Sequence, residues 1–260
     1  MRPDALGSDD EIVEALEGHT NCVMLYGSCA RGDAVASSDI DVLQLTDDAQ
    51  QHHYTAGALS VACYTATQLE SMCARGSLFA LHLKVEGRII RDADGSLQAI
   101  LASYRSPVDY TELRSTVRTA AAILDVDTQV LASNTAGFTR LTLYLLRTIA
   151  MVSVIERGGP PTFSIPEIAA FLEAPELEQA FADRENPTAI TNDRFDLARR
   201  LLHRLLGETV INPFGSLEAL AISIEPSRPT IASLALRLLS GEATLGYGDL
   251  LLDPLQDDSL

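Results

Sequence analysis

The sequence predicts an α+β protein, with a mixed-sheet domain over residues 1–105 followed by an all-helical bundle domain over residues 106–260. Two observations support this prediction. Short apolar segments that end at Gly or at acidic turns fill the first part of the chain, as expected for buried strands. After about residue 103 the apolar residues follow helical spacing, and Pro- and Gly-rich breaks separate the helical segments. A chain of 260 residues is long enough for one large domain or two small ones.

The first domain begins with a helix over 9–18, predicted from the spacing of its apolar residues and the glycine at its end. Apolar or alternating runs predict strands at 22–27, 39–46 and 58–65, and a short strand at the start of 88–95. Helical spacing fills the segment from residue 65 to residue 87. The polar segment 47–53, which includes His52 and His53, is predicted to be a loop.

The second domain is predicted to contain helices only. Turn-forming sequences such as the segment 157–166, "RGGPPTFSIP", separate its helical periods. The predicted helices lie at about 110–132, 136–157, 164–172, 175–184, 192–206, 215–223 and 229–240.

The charge balance argues against one class of partner. The chain carries 36 acidic and 19 basic side chains, for a formal net charge of −17. A surface that binds nucleic acid needs clustered cations, so we expect no broad nucleic-acid-binding surface on this protein. The same charge is compatible with a cationic substrate or a basic protein partner, and equally with a general effect on solubility.

The apolar segments indicate a cytoplasmic protein. No apolar run reaches the roughly 18 residues of a membrane span, and the acidic N-terminus lacks the apolar region of a signal peptide. The four cysteines have no zinc-binding spacing, so we interpret them as buried, reduced thiols.

Two aspartates one residue apart are the first indication of chemistry. Asp39 and Asp41 occupy alternate positions of a predicted strand, so their carboxylates project from the same face. Two like charges held close together favour a cation between them. A site made only of oxygen ligands suits Mg²⁺, which also keeps water ligands and binds phosphate oxygens.

The turn before these aspartates has the features of a phosphate-binding site. Gly27 allows the backbone to approach a ligand closely, and Ser28 offers both a hydroxyl and an amide N–H. The amides that follow could bind an anion. Arg31 could add positive charge to a phosphate, or could pair with Asp33 instead. Together, the turn and the aspartates predict a site for a nucleoside triphosphate and Mg²⁺.

Residues 26–43, "YGSCARGDAVASSDIDVL", resemble the signature of DNA polymerase β-type nucleotidyltransferases. The resemblance is greatest to the minimal, antitoxin-like and aminoglycoside-modifying branches. It implies a nucleotidyltransferase mixed-sheet domain with a helical bundle as its companion. It also implies an enzyme that transfers a nucleoside monophosphate from an NTP to a hydroxyl and releases pyrophosphate.

The same resemblance implies roles for individual residues. Gly27 and Ser28 would hold the β- and γ-phosphates, with Arg31 and Ser38 as further nucleotide contacts. Asp39 and Asp41 would be the catalytic ligands of two Mg²⁺ or Mn²⁺ ions. The expected co-substrate is ATP or another NTP.

One residue that the family usually has is absent. A third carboxylate commonly lies on the next strand, and alignment on Tyr64 and Thr65 puts Ser60 in its place. In that alignment Leu59, Val61 and Cys63 face the core. The missing acid could come from elsewhere, the acceptor could need little activation, or the domain could bind nucleotide without turnover. The acids considered as substitutes are Glu70, Glu86 and Asp92.

A stripe on the helix 136–157 is a second candidate for nucleotide contacts. Arg140, Tyr144 and Arg147 recur at positions i, i+4 and i+7, which share one helix face. The arginines could bind triphosphate and the tyrosine could stack on a base. Salt bridges between domains are the alternative interpretation.

The acceptor is less defined than the nucleotide. A hydroxyl of a partner protein, as in toxin–antitoxin nucleotidylyltransferases, and a cationic aminoglycoside both fit the resemblance and the acidic composition. The sheet is expected to face the helical bundle, with the acceptor between them. The competing class is a catalytically inactive module that binds a nucleotide or a partner.

Overall fold

A computed structural model describes residues 8–18, 21–34, 38–47, 52–182 and 191–242. The chain divides into two compact units. The sheet unit comprises Met1–Val108 and Pro161–Ser164, and the helical unit comprises Asp109–Pro160 and Ile165–Leu260. The predicted fold class, α+β with a mixed sheet followed by helices, is confirmed. The division into two domains after residue 105 stays a prediction.

Within the described residues, five strands form one mixed sheet in the order β3-β4-β2-β1-β5. Among the described strands, the β2–β4 pair is parallel, and the β1–β2, β1–β5 and β3–β4 pairs are antiparallel. The sheet therefore has the antiparallel-rich, mixed character that the sequence predicts. The strands are β1 (Cys22–Tyr26), β2 (Ile40–Leu45), β3 (His52–Ala56), β4 (Leu59–Tyr64) and β5 (Arg88–Asp92).

The prediction of a loop at His52 and His53 is wrong, because both residues lie in β3. This strand is at the edge of the sheet, and its side chains are exposed or half-buried along its length. An edge strand does not need the apolar pattern that identifies central strands. A polar contact links β3 to β2, since the Tyr54 hydroxyl donates a hydrogen bond of 2.8 Å to Gln44 Oε1.

In the part of the sheet unit that the structure describes, five helices accompany the sheet, and the sequence prediction is incomplete for them. The segment 65–87 forms two helices and not one, because Gly76 adopts φ +73° and Ser77 caps the second helix at the Phe79 N–H. The helix over Ser96–Ala102 is not predicted by the sequence pattern. The helices are α1 (Asp9–Glu14), α2 (Gly27–Arg31), α3 (Ala66–Arg75), α4 (Leu78–Glu86) and α5 (Ser96–Ala102).

Apolar residues cover both faces of the sheet. On one face, α1 and three strands contribute to a single buried cluster. On the other face, Phe79 of α4 packs against Tyr26 and Tyr64, with ring centroids 5.5 Å apart in both pairs. The cluster on the first face consists of Ile12, Leu16, Val23, Leu25, Ile40, Val42, Leu59, Val61 and Cys63.

The helical unit is built around one long helix, α8, whose buried residues include Phe138, Leu141 and Leu145. The predicted helix 110–132 is divided, because a 3₁₀ turn follows α6 and Asp127 caps a new helix at the Gln129 and Val130 N–H groups. The helices are α6 (Thr111–Ala121), α7 (Thr128–Ser133), α8 (Thr135–Glu156), α9 (Ile165–Phe171), α10 (Glu176–Phe181), α11 (Asn192–Leu206), α12 (Leu217–Ile224) and α13 (Pro229–Leu239).

Helix α8 has the length and the mean hydropathy of a membrane span, although no uninterrupted apolar run in it reaches that length. By length and composition alone, its 22 residues could cross a membrane. However, 78% of its most apolar 18-residue window is buried within the protein, as in the core helix of a globular unit. Buried side chains on all sides of a helix give the same apolar composition as a membrane-spanning segment.

Candidate nucleotide-binding site

The turn at Gly27 lies directly against the carboxylate of Asp41. The two strands that carry them are antiparallel neighbours, and Tyr26 pairs with Asp41 in their register. Gly27 adopts φ +71°, and a Cβ atom there would overlap Asp41 Oδ2 and lie 3.3 Å from its Cγ. The fold thus brings together the two halves of the motif, the predicted phosphate-binding turn and a predicted metal ligand.

Replacement of Gly27 tests this close approach. We expect Gly27→Ala to lower the free energy of unfolding by about 2–3 kcal/mol, because the left-handed backbone is strained and the new Cβ displaces Asp41. Gly32→Ala is the matched control. Gly32 also has a positive φ, of +81°, but no heavy atom lies within 4 Å of the point that its Cβ would occupy. It should therefore lose only about 1–2 kcal/mol. Equal losses in urea denaturation would contradict the close approach.

The other motif residues surround the same turn. Ser28 belongs to α2 and is half-buried, and its carbonyl oxygen accepts hydrogen bonds from the Gly32 and Asp33 N–H groups at 3.0 and 3.1 Å. Ser38 is half-buried and Asp39 is exposed, immediately before β2. Burial raises the pKa of the Cys29 thiol, and the charge of Asp41 adds to that effect. The exposed Asp39 carboxylate is accessible to a ligand from solvent.

Arg31 is paired with two carboxylates within the sheet unit. Its Nε lies 3.2 Å from Asp33 Oδ2, and its Nη1 lies 2.7 Å from Glu86 Oε2. Its side chain is only 17% exposed. Of the two alternatives for Arg31, the structure therefore has the pairing with Asp33, together with a second partner that the sequence did not indicate.

Glu86 is the centre of a buried polar cluster that also contains Arg31, His82 and the Phe163 N–H. His82 Nε2 lies 3.1 Å from Glu86 Oε2, and the Phe163 N–H donates a 2.7 Å hydrogen bond to Glu86 Oε1. His82 also stacks on Phe163 at 4.2 Å between ring centroids. Burial alone would raise the pKa of Glu86, but the contacts with His82 and Arg31 and the hydrogen bond from the Phe163 N–H lower it to about 2. Glu86 is therefore a fixed anion that orients α2.

The register of the sheet agrees with the alignment that assigns Ser60 to the third-carboxylate position. Ser60 pairs with Asp41 across the parallel β2–β4 interface. Its neighbours Leu59 and Val61 belong to the buried cluster on the opposite face, as predicted. Paired residues on adjacent strands project from the same face of a sheet. A hydroxyl, and not an acid, therefore stands beside Asp41 on β4.

None of the three acids proposed as substitutes lies beside Asp41 in the register of the sheet. Glu86 is bound by Arg31 and His82, and Glu70 is an exposed residue of α3. Asp92 pairs with Cys22, at the end of β1 that is remote from Gly27. Neither Glu86 nor Asp92 has a carboxylate available to take the place of the third acid.

His53 is the neighbour of Ser60 that the sequence analysis missed. Its Nε2 lies 3.0 Å from Ser60 Oγ. Burial lowers the pKa of His53, while the negative charge of Asp39 acts in the opposite direction. The signal that could have revealed this residue is weak, because it required recognition of β3 as a strand and of its register with β4.

A second acidic grouping lies away from this site. Among the described residues, the ligand atoms of Cys22, Asp92 and Asp94 lie within 4.8 Å of one another. Asp92 accepts hydrogen bonds from the Leu97 and Gln98 N–H groups, and Asp94 accepts one from the Ser96 N–H, at 2.9–3.2 Å. Burial raises the pKa of the Cys22 thiol, which disfavours the thiolate that a metal needs. Capping of α5 accounts for this grouping.

Arg140, Tyr144 and Arg147 belong to α8 in the helical unit, and not to the unit that carries Gly27 and Asp41. Arg140 is exposed, and the other two are half-buried. Their contribution to a nucleotide site stays a prediction.

Comparisons with known proteins leave the function to be inferred from these residues. No family model and no curated protein matches the chain. Among solved structures, the chain is similar to a nucleotidyltransferase-like protein from Exiguobacterium sibiricum 255-15. The two share 18% identity and a TM-score of 0.29, over 85% of this chain and 77% of that chain. A similarity this low supports neither a common fold nor a common activity.

Proposed function

We propose that the protein is a metal-dependent nucleotidyltransferase that moves a nucleoside monophosphate from an NTP, with ATP as the expected donor, to a hydroxyl acceptor. The observation that carries the proposal is the position of the Gly27 turn against the Asp41 carboxylate. A glycine turn beside a pair of aspartates suits a triphosphate bound through a divalent metal.

The residues present fit Mg²⁺ or Mn²⁺. The side chains of Asp39 and Asp41 offer only carboxylate oxygens, and the absence of a Cβ at Gly27 lets the Asp41 carboxylate lie against the turn. These are the ligands that such ions prefer. When bound, the metal would neutralise charge on the phosphates and activate the attacking oxygen.

The chain itself would orient the nucleotide. Gly27 would bring its backbone close to the phosphates, while the Ser28 and Ser38 hydroxyls could donate hydrogen bonds to them. Because Arg31 already pairs with Asp33 and Glu86, we propose that it mainly holds α2 in position. Arg140, Tyr144 and Arg147 remain proposed nucleotide contacts.

The proposed acceptors are a hydroxyl of a partner protein, as in antitoxin-like nucleotidylyltransferases, and a cationic small molecule such as an aminoglycoside. The net charge of −17 supports either, since an acidic protein attracts basic proteins and polyamines. We propose a cytoplasmic location, where ATP is available, and no nucleic-acid or membrane partner.

The alternative is a nucleotide-binding module without turnover, and one observation favours it. Ser60, and not an acid, pairs with Asp41 in the sheet. A missing general base costs about 10²–10⁴ in rate. A protein with this defect could bind nucleotide and serve only as a partner-binding module.

The test is release of labelled pyrophosphate from γ-labelled ATP, with and without candidate acceptors. We expect release to require Mg²⁺ or Mn²⁺, to stop on addition of EDTA, and to be lost in Asp39→Asn. Asp94→Asn is the control, because Asp94 belongs to the acidic grouping that caps α5. Tight ATP binding without release under either metal would identify the inactive module. Loss of release in Asp94→Asn but not in Asp39→Asn would refute the proposed site.

A further inference from the structure

Three polar residues form a row across the sheet beside the proposed metal site. Ser60 of β4 pairs with Asp41 of β2 on one side and with Thr55 of β3 on the other. His53 lies two residues before Thr55 on β3, so it projects from the same face. Diagonal neighbours on one face of a sheet are within reach of a long side chain. Asp41, Ser60 and His53 therefore follow one another across three strands.

The contact between the last two is a direct hydrogen bond. His53 Nε2 and Ser60 Oγ are 3.0 Å apart. In the tautomer that carries its proton on Nδ1, the imidazole accepts the serine proton at Nε2. A hydroxyl bonded to an imidazole in this way is a common arrangement for proton removal.

We propose that His53, through Ser60, performs the proton removal for which the third carboxylate is missing. This inference rests on the proposed nucleotidyl transfer. The acceptor oxygen forms a bond to the α-phosphorus, and the bond from that phosphorus to the bridging oxygen breaks. The bonding electrons leave with pyrophosphate. The acceptor proton passes to Ser60 Oγ while the Ser60 proton passes to His53 Nε2.

The neighbouring histidine provides a matched control. His52 is also exposed and lies on the same edge strand, but alternation directs it to the opposite face. There it stacks with Tyr54, with ring centroids 6.1 Å apart. Loss of His52 therefore perturbs β3 without removing the group next to Ser60.

The test takes water as the acceptor, so that it does not depend on the natural substrate. The assay is Mg²⁺-dependent pyrophosphate release from ATP by the full chain. We expect His53→Ala to lower kcat by about 10²–10⁴-fold, with the KM for ATP unchanged and His52→Ala similar to wild type. Added imidazole should restore part of the rate of His53→Ala. Ser60→Asp in the His53→Ala background should also restore activity, since it introduces a carboxylate beside Asp41.

The outcomes separate this inference from the proposed function. If wild type releases pyrophosphate through Asp39 but His53→Ala retains the wild-type kcat, the role of His53 is refuted. An equal loss in His52→Ala, or a loss that neither imidazole nor Ser60→Asp restores, would assign the effect to β3 as a whole and also refute it. No metal-dependent release by wild type, with Asp39→Asn indistinguishable from it, would refute the proposed function and this inference together.

Discussion

Asp41→Asn is expected to reduce metal-dependent pyrophosphate release by about 10³-fold, the order of effect of losing several kcal/mol of transition-state stabilisation. Asn has the same size as Asp, so the contact with the Gly27 turn should persist. The change removes the charge that would hold a divalent ion between the turn and the sheet. The measurement is kcat for release from ATP at saturating Mg²⁺.

The control for this prediction is Asp47→Asn. Asp47 is exposed and follows β2 at the end opposite to Asp41. Its replacement by Asn removes one negative charge, as Asp41→Asn does, but leaves the site unchanged. It should leave kcat unchanged. If Asp41→Asn kept more than about a tenth of the wild-type rate, a loss of only about 1.4 kcal/mol, Asp41 would not be a ligand of the catalytic metal.

Glu86→Ala is expected to give the largest loss of stability, about 3–5 kcal/mol, because it removes one partner from a buried ionic cluster. The Glu86 side chain is 8% exposed and contacts Arg31, His82 and the Phe163 N–H. Its removal leaves the Arg31 guanidinium, itself 17% exposed, paired with the more exposed Asp33 carboxylate. Urea denaturation at neutral pH measures the effect, and exposed Glu70→Ala is the control.

The same cluster should make the free energy of unfolding depend on pH, and the sign of that dependence follows from the pKa of Glu86. Its pKa in the folded protein is about 2, below the ordinary value of 4.5, so its contribution is present above pH 4.5 and is lost as the pH falls towards 2. The shift corresponds to about 3 kcal/mol. The difference in stability between wild type and Glu86→Ala should therefore shrink through this window. A difference that does not change with pH would show that Glu86 is not held as an anion.

Much of the candidate site could be predicted from the sequence because its determinants are local. Gly27 and Ser28 follow a short apolar strand directly, and Asp39 and Asp41 alternate at the start of the next one. Both patterns depend on backbone geometry over a few residues, which the residue types specify. The alternation of Leu59 and Val61 likewise determined which face of β4 is buried and which face carries Ser60.

Other elements could not be predicted because their stabilising contacts come from distant parts of the chain. β3 is a polar edge strand, and only its pairing with β4 identifies it. Glu86 became the partner of Arg31 because α4 packs close to α2, across 55 residues of sequence. The segment Pro161–Ser164 belongs to the sheet unit, although the residues before it and after it in the chain belong to the helical unit.

The sequence by itself determined what the site is made of: a glycine turn, two aspartates, and a serine where the family usually has an acid. Only the tertiary structure decided what stands next to each of them. The register of β2 with β4 and of β4 with β3 aligns Asp41, Ser60 and His53 across three strands. The physical reason is that strand pairing joins residues far apart in the chain, and no local pattern of residue types specifies which strands become neighbours.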